Sequence, residues 1–139
     1  MLSYWLYIST VGIHPNSAEE ALIFRIAKER NRDLGVTGYL HRERGYFVQY
    51  IEGSEDVLEN MKNMIRADWR HSNVRDLETG VTLTRRFDGW DMVFSNEETN
   101  AFRDWQSSRG SIPDISSAPA ADILGFMLDT TGCGRLETT

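Results

Sequence analysis

Cysteine is almost absent: Cys133 is the one thiol in 139 residues, so no internal disulfide can form. Flanked by Gly132 and Gly134, it has no neighbour for metal or redox work, and a reducing, cytoplasmic setting is expected. Long apolar runs are missing too. None approaches the roughly 20 residues of a transmembrane helix, and no basic segment leads into an apolar one at the start, so no membrane is expected. Positive charge is scarce, with 15 Lys and Arg against 21 Asp and Glu and a net charge of −6. Nucleic acids and anionic lipid surfaces need a basic face, so nucleic acid is not an expected partner. There is no G-x-G-x-x-G, no P-loop, and no Ser or Cys in a nucleophile motif. The three histidines, His14, His41 and His71, stand in unrelated contexts, so neither a metal site nor an enzyme is expected.

What the chain does have is 40% hydrophobic and 11% aromatic residues, enough for the core of one globular unit. Residues 2–9 are apolar on both faces, Tyr4, Leu6 and Ile8 against Trp5 and Tyr7, which predicts a central strand covered on both sides. After a turn at residues 14–16, Ser17 and Glu20 form a capping box that opens a helix to about Asp33, stopped by Gly35. Residues 36–40 and 46–51 read as paired strands joined by a polar hairpin loop over residues 41–45. Ser54, with Glu55 and Asp56, starts a second helix to about Ala67. Residues 75–83 and 90–94 are the remaining strands, giving the order β-α-β-β-α-β-β. Beyond Ser95, a capping box at residues 95–98 predicts a short helix to about Trp105. A linker over 106–119 and an amphipathic helix over 120–128 follow. These last helices are expected to cover the sheet face opposite the first two.

Polar side chains fall on apolar faces at three places. Gln49 lies two residues from Phe47 and from Ile51 on one strand face, and burying an amide without partners costs roughly 2–7 kcal/mol. Tyr7 sits on the first strand. On the first helix Ile23, Ala27, Arg30 and Asn31 share one face. Any one of these is most simply a satisfied core polar group. Together, two amides and a phenol directed into one crevice could read a flat heterocycle. Trp90 and Met92, two apart, are expected on one face of the last strand, as core packing or as ligand contacts. Trp5 and Trp69 are assigned to packing. Asp68, Arg70 and His71 at a helix end, and Arg30, could face the polar tail of a ligand or be solvated.

Five segments stand in order along residues 2–94: Leu6-Tyr7-Ile8-Ser9, Asn31 through Leu34-Gly35-Val36-Thr37-Gly38, Phe47 through Gly53, Asp68-x-Arg70-His71, and Arg86-Phe87-x-x-Trp90-x-Met92. In them the sequence resembles the BLUF domain, a family of flavin-binding blue-light sensors. The resemblance implies an α+β, ferredoxin-like βαββαββ fold, a mixed five-stranded sheet with two helices on the flavin face and C-terminal helices on the other. Residues 1–95 would be the flavin-binding domain and 96–139 a helical extension with a tail. The cofactor would be FAD, with FMN or riboflavin as alternatives. Tyr7 would be the redox-active phenol, Gln49 the switching amide, and Asn31 the anchor of the pyrimidine edge. Ile23, Ala27 and Ile65 would line the ring, with Phe47 and Met92 also at the site. Arg30, Asp68, Arg70 and His71 would lie towards the ribityl and phosphate end. Two positions depart from the family pattern: Ala27 lacks a hydroxyl often present there, and Arg30 replaces an Asn or His.

The implied mechanism is light-driven transfer of an electron and then a proton from Tyr7 through Gln49. The amide ends rearranged, the absorption moves to longer wavelength, and the last strand, with Trp90 and Met92 as alternative neighbours, carries the change to the C-terminal helices. No fused output domain is expected in 139 residues, so the signal would pass to an unknown downstream protein or through a homo-oligomer, a dimer or larger. The alternative is a ferredoxin-like ligand-binding regulatory module without photochemistry. A flavin-dependent reductase has no support in the sequence.

Overall fold

Ten residues free of Gly and Pro, Leu2–Val11, form the first strand, β1, of a computed structural model that describes residues 2–68, 71–108 and 114–132. Trp5 and Tyr7 are buried on one face of β1 and Leu6 and Ile8 on the other, as the unbroken apolar run predicts. The other strands are β2 (Thr37–Glu43), β3 (Tyr46–Gly53), β4 (His71–Thr82) and β5 (Val93–Asn96), in a five-stranded sheet ordered β4-β1-β3-β2-β5. All neighbours are antiparallel except β2 and β5, so the sheet is mixed. At Gly38 on β2 a side chain would collide with the sheet itself, since a Cβ there would sit 2.1 Å from the Tyr50 carbonyl oxygen.

Helices α1 (Ala18–Leu34) and α2 (Glu55–Ala67) pack on the face that carries Trp5, Tyr7 and Ile51. Ser17 caps α1, its side chain accepting from the Glu20 N–H at 3.1 Å. The reciprocal arm of the box reaches one residue further back, with Glu20 accepting from the Asn16 N–H at 2.9 Å. Gly35 ends the helix at φ 69°, the left-handed conformation that glycine adopts without strain. On the opposite sheet face lie the short helix α3 (Phe102–Ser107) and α4 (Ala120–Thr131), with Ile123, Phe126 and Met127 against Leu6, Tyr39 and Tyr50. The two-sided covering expected from β1 is therefore present. Among the described residues no helix is long and apolar enough to cross a membrane.

Three expectations are corrected. The polar hairpin loop at residues 41–45 is mostly strand: β2 runs through Glu43, the turn is Arg44 and Gly45 (φ 54° and 85°), and His41, Arg42 and Glu43 are buried. Burial is tolerated because every charge has a partner. Arg42 donates to Glu20 at 2.7 Å and to the Ile13 carbonyl at 2.6 Å. Glu43 accepts from His41 at 2.9 Å and from the N–H groups of Phe102 and Arg103 at 2.6 and 3.1 Å. Secondly, residues 95–98 do not start a helix. Ser95 is a buried strand residue bonded to the Tyr39 hydroxyl and the His41 ring, both at 2.7 Å. Asn96 instead makes a turn, its Oδ1 accepting from the Glu98 N–H at 2.9 Å. The N-terminal amides of α3 are capped from a distance, by Glu43. Thirdly, β5 begins at Val93, where parallel pairing with Tyr39 begins, so Trp90 and Met92 precede the strand. The sequence readings at Trp69, Arg70 and Cys133, and the middle of the 106–119 linker, lie outside the described residues.

Candidate functional site

Tyr7 on β1 and Gln49 on β3 are direct cross-strand partners, and both side chains point to the side covered by α1 and α2. There the two helices stand apart over a cleft enclosing about 480 Å³ of empty space, open solvent at its mouth included. Tyr7, Leu40 and Gln49 make its floor. Ile23, Ile26, Ala27 and Arg30 of α1 form one wall, and Met64 and Ile65 of α2, with Asp68 at its C-terminal end, form the other. The mixture of an apolar lining with a few convergent polar groups suits a small organic ligand.

The Tyr7 hydroxyl donates a hydrogen bond to Gln49 Oε1 with both residues buried. In that orientation the Gln49 amide nitrogen faces the Met92 sulfur at 3.9 Å, a weak acceptor for a good donor. Burial pushes the Tyr7 phenol well above its ordinary pKa; nearby Arg30 opposes the shift and Asp68 adds to it. The phenol therefore keeps its proton at neutral pH. Burial also lowers the Arg30 guanidinium, with Tyr7 and Asp68 pulling it back up.

Two buried polar atoms have no hydrogen-bond partner among the described residues, Asn31 Oδ1 and Arg30 Nε. Asn31 is fully buried and its amide nitrogen donates to the Asp91 carbonyl at 2.8 Å, which fixes the oxygen as an acceptor. Native proteins leave few such atoms unpaired, and each costs about 1–3 kcal/mol if nothing meets it. One acceptor and one donor are thus held ready on the same helix, one residue apart.

Tyr7, Ile23, Ala27, Arg30, Gln49, Ile65 and Asp68 all line the cleft. Asn31 packs behind the wall against the segment before β5, Phe47 is buried with Ala27 and Leu40 on the same sheet face, and Met92 sits behind Gln49. Trp90 does not share the face of Met92. It is 44% exposed while Met92 is 3% exposed, because the pair lies in an irregular segment ahead of β5, where a period of two does not hold. His71 opens β4 opposite Val11. Sequence reading passed over Leu40, Ile26 and Met64. Leu40 faces Gln49 across the β2–β3 ladder and follows from the hairpin register, whereas Ile26 and Met64 form a half-exposed apolar rim that periodicity assigns to solvent.

A family model described as "BLUF: Sensors of blue-light using FAD" matches residues 2–93. The chain is 37% identical over 93 residues, 66% of its length, to "Photoactivated adenylate cyclase subunit beta" of Euglena longa. It spans only about a tenth of the length of the curated relatives it matches, 11% of that one and 9% of its Euglena gracilis counterpart. Among solved structures, "BlrB - a BLUF protein, dark state structure" superposes with a TM-score of 0.78 at 26% identity, covering 93% of this chain and 96% of that one. "Klebsiella pneumoniae BlrP1 with FMN and cyclic diGMP, no metal ions" superposes at 0.68 with 25% identity, over 95% of this chain and 35% of that one.

Proposed function

The chain belongs to the BLUF family, sensors of blue light using FAD, and from that premise we propose that light acts through Tyr7 and Gln49 to rearrange the hydrogen bonds of a flavin held between α1 and α2. The observation that carries the reading is the buried Tyr7–Gln49 hydrogen bond on the cleft floor, beside an acceptor and a donor with no partner among the described residues. Those two atoms fit a flavin. Its pyrimidine edge offers an imide N–H to an acceptor such as Asn31 Oδ1 and a carbonyl to the Gln49 amide, and its ribityl and phosphate end offers oxygens to a donor such as Arg30. Ile23, Ala27 and Ile65 supply flat apolar contact for the ring. FAD is the proposed form, with FMN, the flavin named with BlrP1, and riboflavin as alternatives.

A bound flavin supplies blue-light absorption and an excited state that accepts an electron. Tyr7 would give up that electron and then its hydroxyl proton along the hydrogen bond to Gln49, and would recover both as the Gln49 amide, having relayed the proton, settles rearranged with donor and acceptor exchanged. Met92 loses or changes its contact with the amide nitrogen, and the disturbance enters β5, three residues from Ser95. Ser95, His41 and Glu43 connect β5 to the start of α3, so residues 96–139 act as the output extension. The recipient is a downstream protein or a second copy of the chain.

Purified protein should be yellow, and blue light should shift its absorption reversibly to longer wavelength. A folded, colourless protein, or a yellow one with no light response, would leave only a ligand-binding module.

A further inference from the structure

Trp5 lies directly against Tyr7. The two rings, two residues apart on β1, stack with centroids 4.3 Å apart at 27°, both fully buried. Trp5 is not in the lining of the cleft, so it stands behind Tyr7 as seen from the ligand site. A neutral indole gives up an electron more readily than a phenol that keeps its proton, and at van der Waals contact exchange between them is fast. An oxidised Tyr7 is therefore exposed to a competing donor. In that side reaction one electron moves from the Trp5 indole to the Tyr7 phenol radical cation before its proton leaves, so that Trp5 becomes a radical cation and Tyr7 is restored as a neutral phenol. The sensor's normal return, which needs the oxidising equivalent on Tyr7, would be lost.

Two cations beside Trp5 oppose that transfer, against the attraction of the Asp76 carboxylate. The Arg66 guanidinium lies 5.2 Å from the centre of the indole ring and the Lys62 ammonium 5.7 Å from it, both from α2. A cation on a neutral indole face is attractive, but the contact turns repulsive once the ring is positive. Asp76 accepts from the indole N–H at 2.8 Å and would help remove its proton, yet the same carboxylate oxygen also accepts from Arg66 at 2.7 Å. Burial is the largest single influence on Asp76 and raises it, but the bonds from Trp5 and Arg66 and the charges of Arg66 and Lys62 together outweigh it and hold the carboxyl below its ordinary range, a poor proton acceptor. Tyr7, by contrast, has Gln49 to take its proton.

We propose that Lys62 and Arg66 form an electrostatic guard over Trp5 that keeps the oxidising equivalent on Tyr7. The proposal rests on the photoreceptor reading and adds two positioning residues to it. The test compares the flavin-loaded wild type with the Lys62→Met, Arg66→Met double variant, whose unbranched side chains keep the packing of the stems. Flash excitation is followed by the yield of red-shifted state and by the transient absorption of a tryptophan radical. Wild type should show no such radical. The double variant should lose yield severalfold and show it, and adding Trp5→Phe should restore the yield. Exchanging the cations, Lys62→Arg with Arg66→Lys, should preserve wild-type behaviour.

An unchanged yield without a tryptophan radical in the double variant overturns the guard, as does a radical already present in wild type. A lost yield that Trp5→Phe does not rescue, or that the charge-preserving exchange reproduces, assigns the effect to packing and overturns it as well. A wild type with no light-driven shift refutes the photoreceptor reading and this proposal together, whereas a normal wild-type photocycle with an indifferent double variant refutes the guard alone.

Discussion

Replacing Gln49 by Leu separates the structural role of this amide from its photochemical one. The substitution removes the acceptor of the buried Tyr7 hydroxyl and the donor facing Met92, and puts a side chain of similar size in their place. A buried hydroxyl deprived of its acceptor costs about 1–3 kcal/mol. Against this, burying Leu in place of a carboxamide returns part of the loss, since the site is 3% exposed and lies among apolar neighbours. The net destabilisation should be about 1–2 kcal/mol, out of the roughly 5–15 kcal/mol that holds a domain together. For a chain of this length that lowers Tm by roughly 3–8 °C, and the variant stays folded at room temperature. Flavin should remain bound, because Asn31, Arg30 and the apolar walls are untouched. The assay is thermal unfolding together with a light-minus-dark difference spectrum of the yellow protein. A leucine has no proton to relay and no donor and acceptor to exchange, so the red shift should vanish. A Leu variant that binds flavin and still shows a reversible shift of wild-type size would refute the relay reasoning.

Other outcomes follow from the same geometry. Tyr7→Phe keeps the stacked ring and deletes the hydroxyl, so flavin should bind while light-driven conversion fails; conversion at wild-type yield in the difference spectrum would remove Tyr7 from the role of donor. Asn31→Ala removes the acceptor held in place by the Asp91 carbonyl, and flavin affinity by titration should fall about tenfold, the equivalent of one good hydrogen bond. Glu43→Gln should loosen α3 by roughly 1.5–3 kcal/mol, read as faster amide exchange at Phe102 and Arg103, because a charged acceptor of three hydrogen bonds becomes a neutral one. Burial raises the Glu43 carboxyl, but the bonds from His41 and the helix amides outweigh it and hold it below the ordinary 4.5. Its contribution is thus complete above pH 4.5 and lost as pH falls through the lowered value, so acid should release α3, and release already near neutral pH would contradict this.

Much of the fold was legible before any coordinates. The two-faced apolar run of β1, the Ser17 cap and the Gly35 stop each answer to local rules, and each appears where those rules put it. The errors fall where a residue's partner is remote in sequence. His41, Arg42 and Glu43 look like a solvated loop because their charge is visible locally and, apart from the His41–Glu43 pair, their partners are not. Arg42 is matched by Glu20, 22 positions away, and Glu43 by amides about 60 positions away. The capping box expected at residues 95–98 failed for a related reason, and the short helix starts only at Phe102, since Ser95 is drawn into the core by Tyr39 and His41 before it can cap anything.

By itself the sequence determined the element order, the sheet face on which Tyr7 and Gln49 lie and, through the resemblance, the family, because alternation and motif spacing are properties of the chain. Only the tertiary structure decided that Met92 and not Trp90 lies behind Gln49, that Asn31 Oδ1 and Arg30 Nε are left without partners beside the cleft, and that two cations from α2 stand over the indole stacked on Tyr7. Those facts depend on where strands begin and on which side chains meet across long stretches of chain. Burial and pairing energies are set by such meetings, and no local pattern records them.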